Sequence, residues 1–213
     1  MDAQAQRGVG SPSLRGALVL ASASPRRLAL LRQVSVPVEV VPADVDETQA
    51  LGEAPMAYAE RVAVDKARTA MARLEREDHP LRAAWVLAAD TVVIVDGEAL
   101  GKPEDDEHAR RLITRLAGRG HEVVTAVAIG RAGAPLDVEP VRTRVFFRPL
   151  TEAEVAAYVA TGEGRDKAGA YGIQGIGAGL VTHIEGCYFN VVGLPLSHTL
   201  GRLVALGAVR SWP

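Results

Sequence analysis

Two consecutive arginines, Arg26 and Arg27, occupy the first turn of a predicted helix that follows a short apolar run. Ser24 is a good N-cap residue, and Pro25 suits the first helical position because its missing N–H would have no partner there. A cation at this end opposes the helix dipole at a cost of roughly 0.3–1 kcal/mol. Free N–H groups, a positive dipole end and two guanidinium groups together favour a polyphosphate site, and two solvated surface arginines are the alternative.

A carboxylate interrupts a long apolar segment of the chain. Residues 85–95 are almost continuously apolar, which predicts a strand buried on both faces, and Asp90 lies near its centre. An ionised carboxylate without partners is very unfavourable in such a strand. Asp90 is therefore expected to meet a metal ion, a cation or a reacting proton, with a purely structural aspartate as the alternative.

Two lysines are expected near these groups. Lys66 lies inside the apolar stripe of a predicted helix over residues 55–77. A lysine on the core side of a helix is costly unless its ammonium group reaches water or an anion, so both outcomes are open. Lys102 follows the Asp96–Gly97 turn and is placed close to the end of the Asp90 strand.

Three carboxylates fall within four positions, at Asp44, Asp46 and Glu47. Taken alone, they favour a solvated acidic loop. The alternative is a divalent-cation site, because hard cations take oxygen ligands and polyphosphate chemistry usually needs such an ion.

A glycine-rich segment covers residues 166–179, with five glycines between Gly169 and Gly179. Its spacing matches neither the dinucleotide-binding fingerprint nor a Walker loop. Tyr171, Ile173 and Gln174 are poor residues for a flexible linker. The segment therefore predicts a backbone that bends tightly or lets a ligand approach closely.

The alternation of strand and helix patterns predicts an α/β fold that positions these segments. The predicted strands cover residues 17–21, 36–41, 85–95, 121–129, 138–147 and 180–184. The predicted helices cover residues 25–33, 55–77, 104–117, 152–160 and 195–206. Pro37 predicts an edge position for the second strand. Because no internal repeat or domain linker interrupts the chain, residues 17–208 are predicted to form a single domain.

Composition and charge exclude several classes of protein. The 213 residues carry a net charge of −2 and only 4% are aromatic, which argues against a nucleic-acid-binding surface. A single cysteine, Cys187, excludes an internal disulfide and fits a reducing compartment. No apolar run approaches the ~18–20 residues of a membrane helix. Residues 1–16 are predicted to be a flexible tail without the apolar core of a signal peptide, so a cytoplasmic protein without a membrane partner is expected.

Four blocks of sequence together resemble the Maf family of nucleoside triphosphate pyrophosphatases, from about Leu18 to Leu206. The blocks are Ser-Ala-Ser-Pro-Arg-Arg at 22–27, Ala-Asp-Thr-Val-Val at 89–93, Gly-Lys-Pro at 101–103, and Ala-Tyr-Gly-Ile-Gln-Gly at 170–175 with Asn-Val-Val-Gly-Leu-Pro at 190–195. Their joint order and spacing carry the resemblance. It implies a two-lobed α/β fold of the inosine triphosphate pyrophosphatase kind, in which a long central helix and a twisted mixed sheet flank a cleft.

The resemblance also implies a reaction. Water attacks the α-phosphorus of a nucleoside triphosphate and releases the monophosphate and pyrophosphate, with a divalent metal, Mg²⁺ or Mn²⁺. The blocks at 89–93 and 171–175 resemble those of the subgroup that acts on dTTP and UTP. By matching positions, Asp90 is the expected proton acceptor. The expected substrate-discriminating residues are Arg26, Thr91 and Gln174, and a homodimer is a further expectation.

The chemistry of the side chains fits these expected roles. The cations that would neutralise the triphosphate and the leaving pyrophosphate are Arg26, Arg27, Lys66 and Lys102, with Ser24 beside them. Gln174 offers a donor and an acceptor to the imide edge of thymine or uracil. Asp90 is expected to act as base or as metal ligand, and Glu47 is the second expected metal or water ligand, ahead of Asp46.

Two other functions stay open on the sequence alone. One is a non-catalytic, nucleotide-sensing regulator of cell division, and the other is a pyrophosphatase of the same fold that prefers purines or 7-methyl-GTP. A buried base such as Asp90 favours an enzyme over a sensor. Thr91 and Gln174 argue against the purine preference. The expected partner is a small nucleotide, and the expected role is the removal of unwanted or modified nucleotides.

Overall fold

The computed structural model describes residues 16–77 and 79–212, and the strands in this part of the chain form one mixed sheet. The strands are β1 Leu18–Leu20, β2 Glu39–Val40, β3 Trp85–Val95, β4 Glu98–Leu100, β5 Gly120–Gly130, β6 Asp137–Phe147 and β7 Val181–Glu185. The helices are α1 Pro25–Gln33, α2 Pro55–Arg76, α3 Asp106–Leu116, α4 Glu152–Ala160, α5 Tyr188–Val192 and α6 Leu196–Ala205, with short 3-10 helices at Ala168–Ala170 and Gly175–Leu180. The strand order is β2-β1-β3-β5-β6-β7, and β4 pairs with β3.

Strand β3 has an interrupted edge. One side of β3 pairs antiparallel with β5 from Val86 to Ile94. The other side pairs parallel with β1 at residues 85–87 and antiparallel with β4 at residues 93–95. Within the described chain, residues 88–92 therefore have no strand partner on that second side. Ligands of open α/β sheets usually bind in such a crevice beyond the carboxyl ends of parallel strands.

One face of β3 packs closely against the long helix α2. Side chains alternate between the two faces of a strand, so Val86, Ala88 and Val92 share this face with Asp90. The α2 residues in the same core are mostly small, namely Ala59, Ala63, Ala67 and Ala70, with Leu74. Because alanine side chains are small, the α2 backbone lies close to β3. A longer side chain on this face of α2 can therefore reach a side chain on β3.

The opposite face of β3 borders two hydrophobic cores of the described chain. Leu87 and Ala89 pack in a core that contains residues of α1 and α6. Val93 and Val95 pack in a second core that contains residues of α3 and α4. Thr91 lies between these two groups on the same face, where an apolar side chain would be expected.

The expected α/β fold, with a long helix and a mixed sheet, is confirmed. The bounds predicted for α1 and β3 agree with the structure, and β2 lies at the sheet edge as Pro37 predicted. Helix α3 begins at Asp106, two residues later than predicted. The reason is a local cap, since the Asp105 carboxylate accepts the backbone N–H of His108 at 2.6 Å.

Some elements of the structure were not predicted from the sequence, and some predicted segments lie outside the described residues. The glycine-rich segment contains both 3-10 helices, and α5 follows the turn after β7. The predicted tail lies outside the described residues except for Gly16. At the other end Ala208 and Val209 are buried, and Trp212 Nε1 donates to the carbonyl oxygen of Val34 at 3.0 Å. The prediction of one domain over residues 17–208 stays a prediction.

Helix α2 is the longest described helix, at 22 residues. Its buried side chains lie along one stripe, which packs against the sheet. None of the described helices combines the length and the apolar character needed to cross a membrane.

Leu203 tests the core beneath α6. Its side chain is fully buried, so Leu203→Ala is expected to lower the free energy of unfolding by about 3 kcal/mol through lost burial and a residual cavity. Leu51 is fully exposed, and Leu51→Ala is the matched control with an expected change below about 0.5 kcal/mol. Urea denaturation measures both, and equal effects would contradict the assigned core.

Candidate active site

A cleft of about 710 Å³ opens at the interrupted edge of β3. Segments far apart in the chain line it, and they include residues 22–27, 90–93, 99–102, 166–168, 171–174 and 191–193, together with Glu47, Tyr58 and Lys66. Five cationic and three acidic side chains are among the lining residues, which leaves two excess positive charges. Since the whole chain has a net charge of −2, the cleft is locally suited to an anion.

The centre of the cleft is a chain of alternating acids and lysines. Lys66 Nζ lies 2.8 Å from Asp90 Oδ1 and 2.6 Å from Glu47 Oε1. Lys102 Nζ lies 3.4 Å from Glu47 Oε2. Lys66 and Asp90 are both buried, at 7% and 8% exposure. The ammonium group of Lys66 thus finds anionic partners, and the cation expected beside Asp90 is this lysine.

The packing of α2 on β3 produces the contact between Lys66 and Asp90. Lys66 lies on the buried stripe of α2 between Val62 and Ala70, and Asp90 lies on the face of β3 that packs against this helix. The Asp90 Oδ2 atom accepts no hydrogen bond from any described residue, whereas Oδ1 is held by Lys66. One carboxylate oxygen is therefore oriented by the protein, and the other is available to a ligand or to water.

Glu47 comes from the acidic loop between β2 and α2. The hydroxyl group of Tyr58 donates to the backbone carbonyl of Glu47 at 2.8 Å and ties the loop to α2. Burial opposes ionisation of the Glu47 carboxyl, but the hydrogen bond and charge of Lys66, with Lys102, outweigh it and lower its pKa. Glu47 is therefore an anion at neutral pH.

Asp46 has a local role instead. Its carboxylate accepts the backbone N–H of Thr48 at 2.8 Å, and hydrogen bonds from Thr48 lower its pKa. Glu47 lines the cleft, whereas Asp44 and Asp46 are not among the described lining residues. One of the three carboxylates in this loop thus belongs to the site.

Arg27 is buried and forms part of the wall of the cleft. Its Nε donates to the carbonyl oxygen of Gly193 at 2.8 Å, Nη1 donates to Ser22 Oγ at 3.1 Å, and Nη2 donates to Thr91 Oγ1 at 3.1 Å. Burial lowers the pKa of the guanidinium group, while the charge of Asp90 raises it. Arg27 thereby joins α1, β3 and the segment after α5.

A buried polar network continues from Arg27 across the sheet. Thr91 Oγ1 lies 2.9 Å from Thr125 Oγ1, and Thr125 donates to the carbonyl oxygen of Asn190 at 2.9 Å. The Asn190 amide donates to Val123 O and to Thr143 Oγ1, both at 3.0 Å. Thr125 and Asn190 are fully buried. No role was predicted for either residue from the sequence, although Asn190 begins one of the Maf-like blocks and Thr125 is a polar residue within an apolar run.

Arg26 differs from Arg27 in its surroundings. Its side chain is about one-third exposed, and Nη1 lies 3.2 Å from Asp166 Oδ2. Lys167 Nζ lies 2.6 Å from the other oxygen of Asp166. The helix start that carries both arginines is capped by Ser24, whose Oγ accepts the Arg27 N–H at 3.5 Å. Asp166 thus holds two cations of the cleft in place.

Gln174 is presented by the glycine-rich segment. Its side chain is exposed on the cleft wall and makes no hydrogen bond to any described residue. Both amide groups, the carbonyl and the NH₂, are therefore available to a ligand. The neighbouring Gly175 has a φ of +68°, a conformation that favours glycine.

The donor set for a metal ion is small. Within residues 16–77 and 79–212 no group of three or more His, Cys, Asp and Glu side chains is arranged to hold a metal ion. Asp90 and Glu47 nevertheless converge on one cation, the Lys66 ammonium group. Two carboxylates fit Mg²⁺ bound together with substrate phosphates and water, because that ion commonly takes only one or two protein carboxylates.

Comparison with known proteins places the sequence in a family. The family model described as Maf-like protein matches residues 17–206. The chain belongs to the Maf family. A Maf relative, the dTTP/UTP pyrophosphatase of Myxococcus xanthus, is 50% identical over 92% of this chain and 95% of its own length. The dTTP/UTP pyrophosphatase of Syntrophomonas wolfei is 48% identical over 88% of this chain and 96% of its own length.

Solved structures give more distant similarities. The Ham1 protein of Staphylococcus aureus is 18% identical, with a TM-score of 0.44 over 62% of this chain and 71% of that chain. A nucleoside-triphosphatase (dITP/XTP pyrophosphatase) of Mycobacterium abscessus is 19% identical, with a TM-score of 0.41 over 89% and 97% of the two chains. Membership of the Maf family therefore rests on the sequence matches.

The structure brings together nine of the side chains that the sequence singled out for the site, and leaves Asp46, the less favoured metal or water ligand, outside it. The residues that line this one cleft are Ser24, Arg26, Arg27, Glu47, Lys66, Asp90, Thr91, Lys102 and Gln174. Their chemical roles stay predictions. Asp166 and Lys167 also line the cleft but were not predicted, although both begin the glycine-rich segment of residues 166–179.

Glu47 makes part of the acid stability of the protein testable. Its pKa is lowered in the folded state, so its contribution is present above the ordinary glutamate value of about 4.3 and is lost as pH falls through the folded pKa. Glu47→Gln is therefore expected to flatten the fall in unfolding free energy below about pH 4.3. Urea denaturation between pH 3 and 6 measures this.

Glu60→Gln, on the same helix as Lys66, is the matched control for this pH series. Glu47 is partly exposed, so solvent screening keeps the effect small. Parallel stability curves for the wild type and Glu47→Gln would contradict the assigned interaction with Lys66.

Proposed function

We propose that this chain hydrolyses dTTP and UTP, and related modified pyrimidine nucleotides, to the monophosphate and pyrophosphate, and so clears them from the nucleotide pool. The observation that carries the proposal is Asp90, a buried carboxylate with one oxygen held by Lys66 and the other available in a positively charged cleft. The Maf relatives in Myxococcus xanthus and Syntrophomonas wolfei, which are dTTP/UTP pyrophosphatases, support the choice of substrate.

The charges of the cleft suit a triphosphate. Arg26 is partly exposed and Lys102 is exposed at the cleft surface, where their present partners are the carboxylates of Asp166 and Glu47. Phosphate oxygens can replace these carboxylates as hydrogen-bond acceptors. Lys66 adds a buried ammonium group close to the reacting centre. Together these cations offset the negative charge that develops on the departing pyrophosphate.

Asp90 serves as the proton acceptor in this mechanism. A water molecule near the free Oδ2 atom attacks the α-phosphorus and transfers a proton to the carboxylate. The new bond joins the water oxygen to the α-phosphorus, and the bond to the bridging oxygen breaks as pyrophosphate leaves. Lys66 orients the Asp90 carboxylate through its 2.8 Å contact with Oδ1.

Divalent metal participation is part of the proposal. Asp90 and Glu47 are the residues that would hold Mg²⁺ or Mn²⁺, and the ion would supply further neutralisation of the phosphate oxygens. The two carboxylates support this role because both already bind one cationic group, the Lys66 ammonium.

Base recognition is assigned to Gln174, with Arg26 and Thr91 as the other discriminating residues. The unpaired amide of Gln174 matches the imide edge of thymine or uracil, which presents one N–H donor between carbonyl acceptors. The Thr91 hydroxyl already bonds with Arg27 and Thr125, so its contribution is to fix the wall beside the base or sugar. Arg27, with all three kinds of guanidinium nitrogen engaged, supports that wall rather than the phosphates.

The setting proposed for the enzyme is the cytoplasm, as a homodimer. The single cysteine, Cys187, supports a reducing compartment. The homodimer is supported by the resemblance to the family, and light scattering of the purified protein tests it.

A nucleotide panel tests the proposed function directly. Pyrophosphate release is measured with dTTP, UTP, GTP and 7-methyl-GTP, each with Mg²⁺, Mn²⁺ or EDTA. The expected result is faster turnover of dTTP and UTP than of the two guanine nucleotides, and loss of turnover with EDTA. Equal or faster turnover of GTP or 7-methyl-GTP would overturn the substrate assignment, and full activity in EDTA would overturn the metal.

Asp90→Asn tests the proton acceptor. The amide keeps the shape of the side chain and a Lys66 contact, and Lys66 retains Glu47, so folding is expected to persist. Pyrophosphate release is expected to fall at least about 100-fold, because asparagine cannot accept the proton. Asp65→Asn, at a partly exposed position next to Lys66 on α2, is the matched control. Undiminished activity of Asp90→Asn would contradict the assigned role.

Gln174→Ala tests the base contact. The ratio of kcat/KM for dTTP to that for GTP is expected to fall about 10- to 100-fold, because hydrogen bonds to the base edge are lost. Inhibition by pyrophosphate is expected to be unchanged, since the cationic side chains remain. The exposed Gln33→Ala is the matched control. A selectivity ratio equal to that of the wild type would exclude Gln174 as the discriminating residue.

A further inference from the structure

The glycine-rich loop that presents Gln174 is held by Glu163, which is not among the described residues that line the cleft. Glu163 follows α4 and is half-buried. Its Oε2 accepts the backbone N–H of Ile176 at 2.7 Å, and its Oε1 accepts the backbone N–H of Gly177 at 2.8 Å. A single carboxylate thus binds two successive N–H groups directly beyond the Gln174–Gly175 pair, with charge-assisted hydrogen bonds.

Glycines allow the loop to approach this carboxylate. A Cβ atom on Gly175 would lie 2.5 Å from Glu163 Oε2, and a Cβ atom on Gly177 would lie 2.9 Å from the hydroxyl oxygen of Tyr158. Gly175 also has the left-handed backbone conformation that turns the chain toward Glu163. Glycine at 175 is therefore explained by the close approach of the Glu163 carboxylate, and glycine at 177 by the close approach of the Gly172 carbonyl oxygen and the Tyr158 hydroxyl.

Tyr158 of α4 links the same carboxylate to the other side of Gln174. Its hydroxyl donates to Glu163 Oε1 at 3.1 Å and accepts the backbone N–H of Gly172 at 3.3 Å. Lys167 Nζ donates to the backbone carbonyl of Glu163. The loop is thus held two residues before Gln174 and again two and three residues after it.

We infer that Glu163 is a positioning residue that sets base selectivity by holding the Gln174 loop in register with the cleft. The Gln174 side chain makes no hydrogen bond of its own within the described structure, so the protein positions this amide through the backbone that carries it. A displacement of about 1 Å at a substrate-positioning group can reduce a rate about 100-fold. The inference rests on the proposed function, because discrimination between bases is its readout.

Glu163→Gln changes the contact with little change in shape. The N–H groups of Ile176 and Gly177 contact different oxygens of Glu163, and a glutamine replaces one of these oxygens with an NH₂ group, so one of the two N–H groups loses its acceptor in this geometry. The variant is expected to raise KM for dTTP and UTP and to lower the dTTP-to-GTP ratio of kcat/KM at least about fivefold. Its kcat for dTTP is expected to change less than twofold, since the Asp90 centre is untouched.

A double-mutant cycle tests whether Glu163 acts through Gln174. The ratio of kcat/KM for dTTP and GTP is measured for the wild type, Glu163→Gln, Gln174→Ala and the double variant. If Glu163 acts through Gln174, its substitution has little further effect on selectivity once Gln174 is absent. Independent, multiplying effects in the double variant would overturn the inference.

Amide hydrogen exchange gives a readout that does not depend on turnover. Glu163→Gln is expected to accelerate exchange of the Ile176 and Gly177 amide protons. If Glu163→Gln does not fold, Tyr158→Phe is the second test variant. It is expected to change exchange and selectivity in the same direction, with a smaller loss of selectivity. Glu154→Gln is the matched control, because Glu154 of α4 also accepts a backbone N–H, that of Thr151 at 2.8 Å, away from the cleft. Glu154→Gln is expected to lower stability without changing selectivity.

The possible outcomes distinguish a failure of this inference from a failure of the proposed function. A wild type that does not hydrolyse dTTP or UTP overturns the proposed function and removes the base selectivity on which the inference rests. A selective wild type whose Glu163→Gln variant keeps its selectivity, or keeps slow exchange at Ile176 and Gly177, overturns the inference alone.

Discussion

The pairing of Lys66 with Asp90 is the constraint on which the site depends. An ionised carboxylate on a central strand is tolerated only because an ammonium group reaches it at 2.8 Å. That contact requires α2 to lie close to β3, and the alanines along α2 permit the approach. Glu47 then completes the coordination of the lysine from a third segment. The composition of the long helix is thus a condition for the electrostatics of the cleft.

The interrupted edge of β3 lets side chains from both faces of the sheet line the same cleft. Asp90 and Thr91 are neighbours in the chain and point to opposite faces of the sheet, yet both line the same opening. A continuous partner strand would have covered this edge and separated the two faces. Because β1 ends at Leu20 and β4 begins pairing only at residue 93, the carboxylate on one face and the Arg27–Thr91 wall on the other meet in one space.

Much of this arrangement could be predicted from the sequence, and the reasons differ by residue. Asp90 and Lys66 were identified because each is a charge in an apolar pattern, which physical chemistry does not permit without a partner. Asp166 and Glu163 were not, because a carboxylate in a polar, glycine-rich stretch is ordinary, and its partners are set by a fold that brings distant segments together. Thr125 and Asn190 gave a weak signal, since short polar residues in apolar strands and helices often form local hydrogen bonds.

The start of helix α3 was predicted two residues too early. Glu104 and Asp105 are both acidic residues that suit a helix start, and only the cap geometry of the structure decides between them.

The residues proposed for hydrolysis and those proposed for base recognition are held by different elements of the fold. The acid–lysine chain is built from β3, α2 and the loop before α2, whereas Gln174 belongs to a loop fastened to the end of α4 by Glu163 and Tyr158. Under the proposed function, substitutions in that loop alter which nucleobase is accepted, while the packing around Asp90 is unchanged. The two sets of contacts share no residue, so a substitution at Glu163 or Tyr158 leaves the contacts of Lys66 with Asp90 and Glu47 in place.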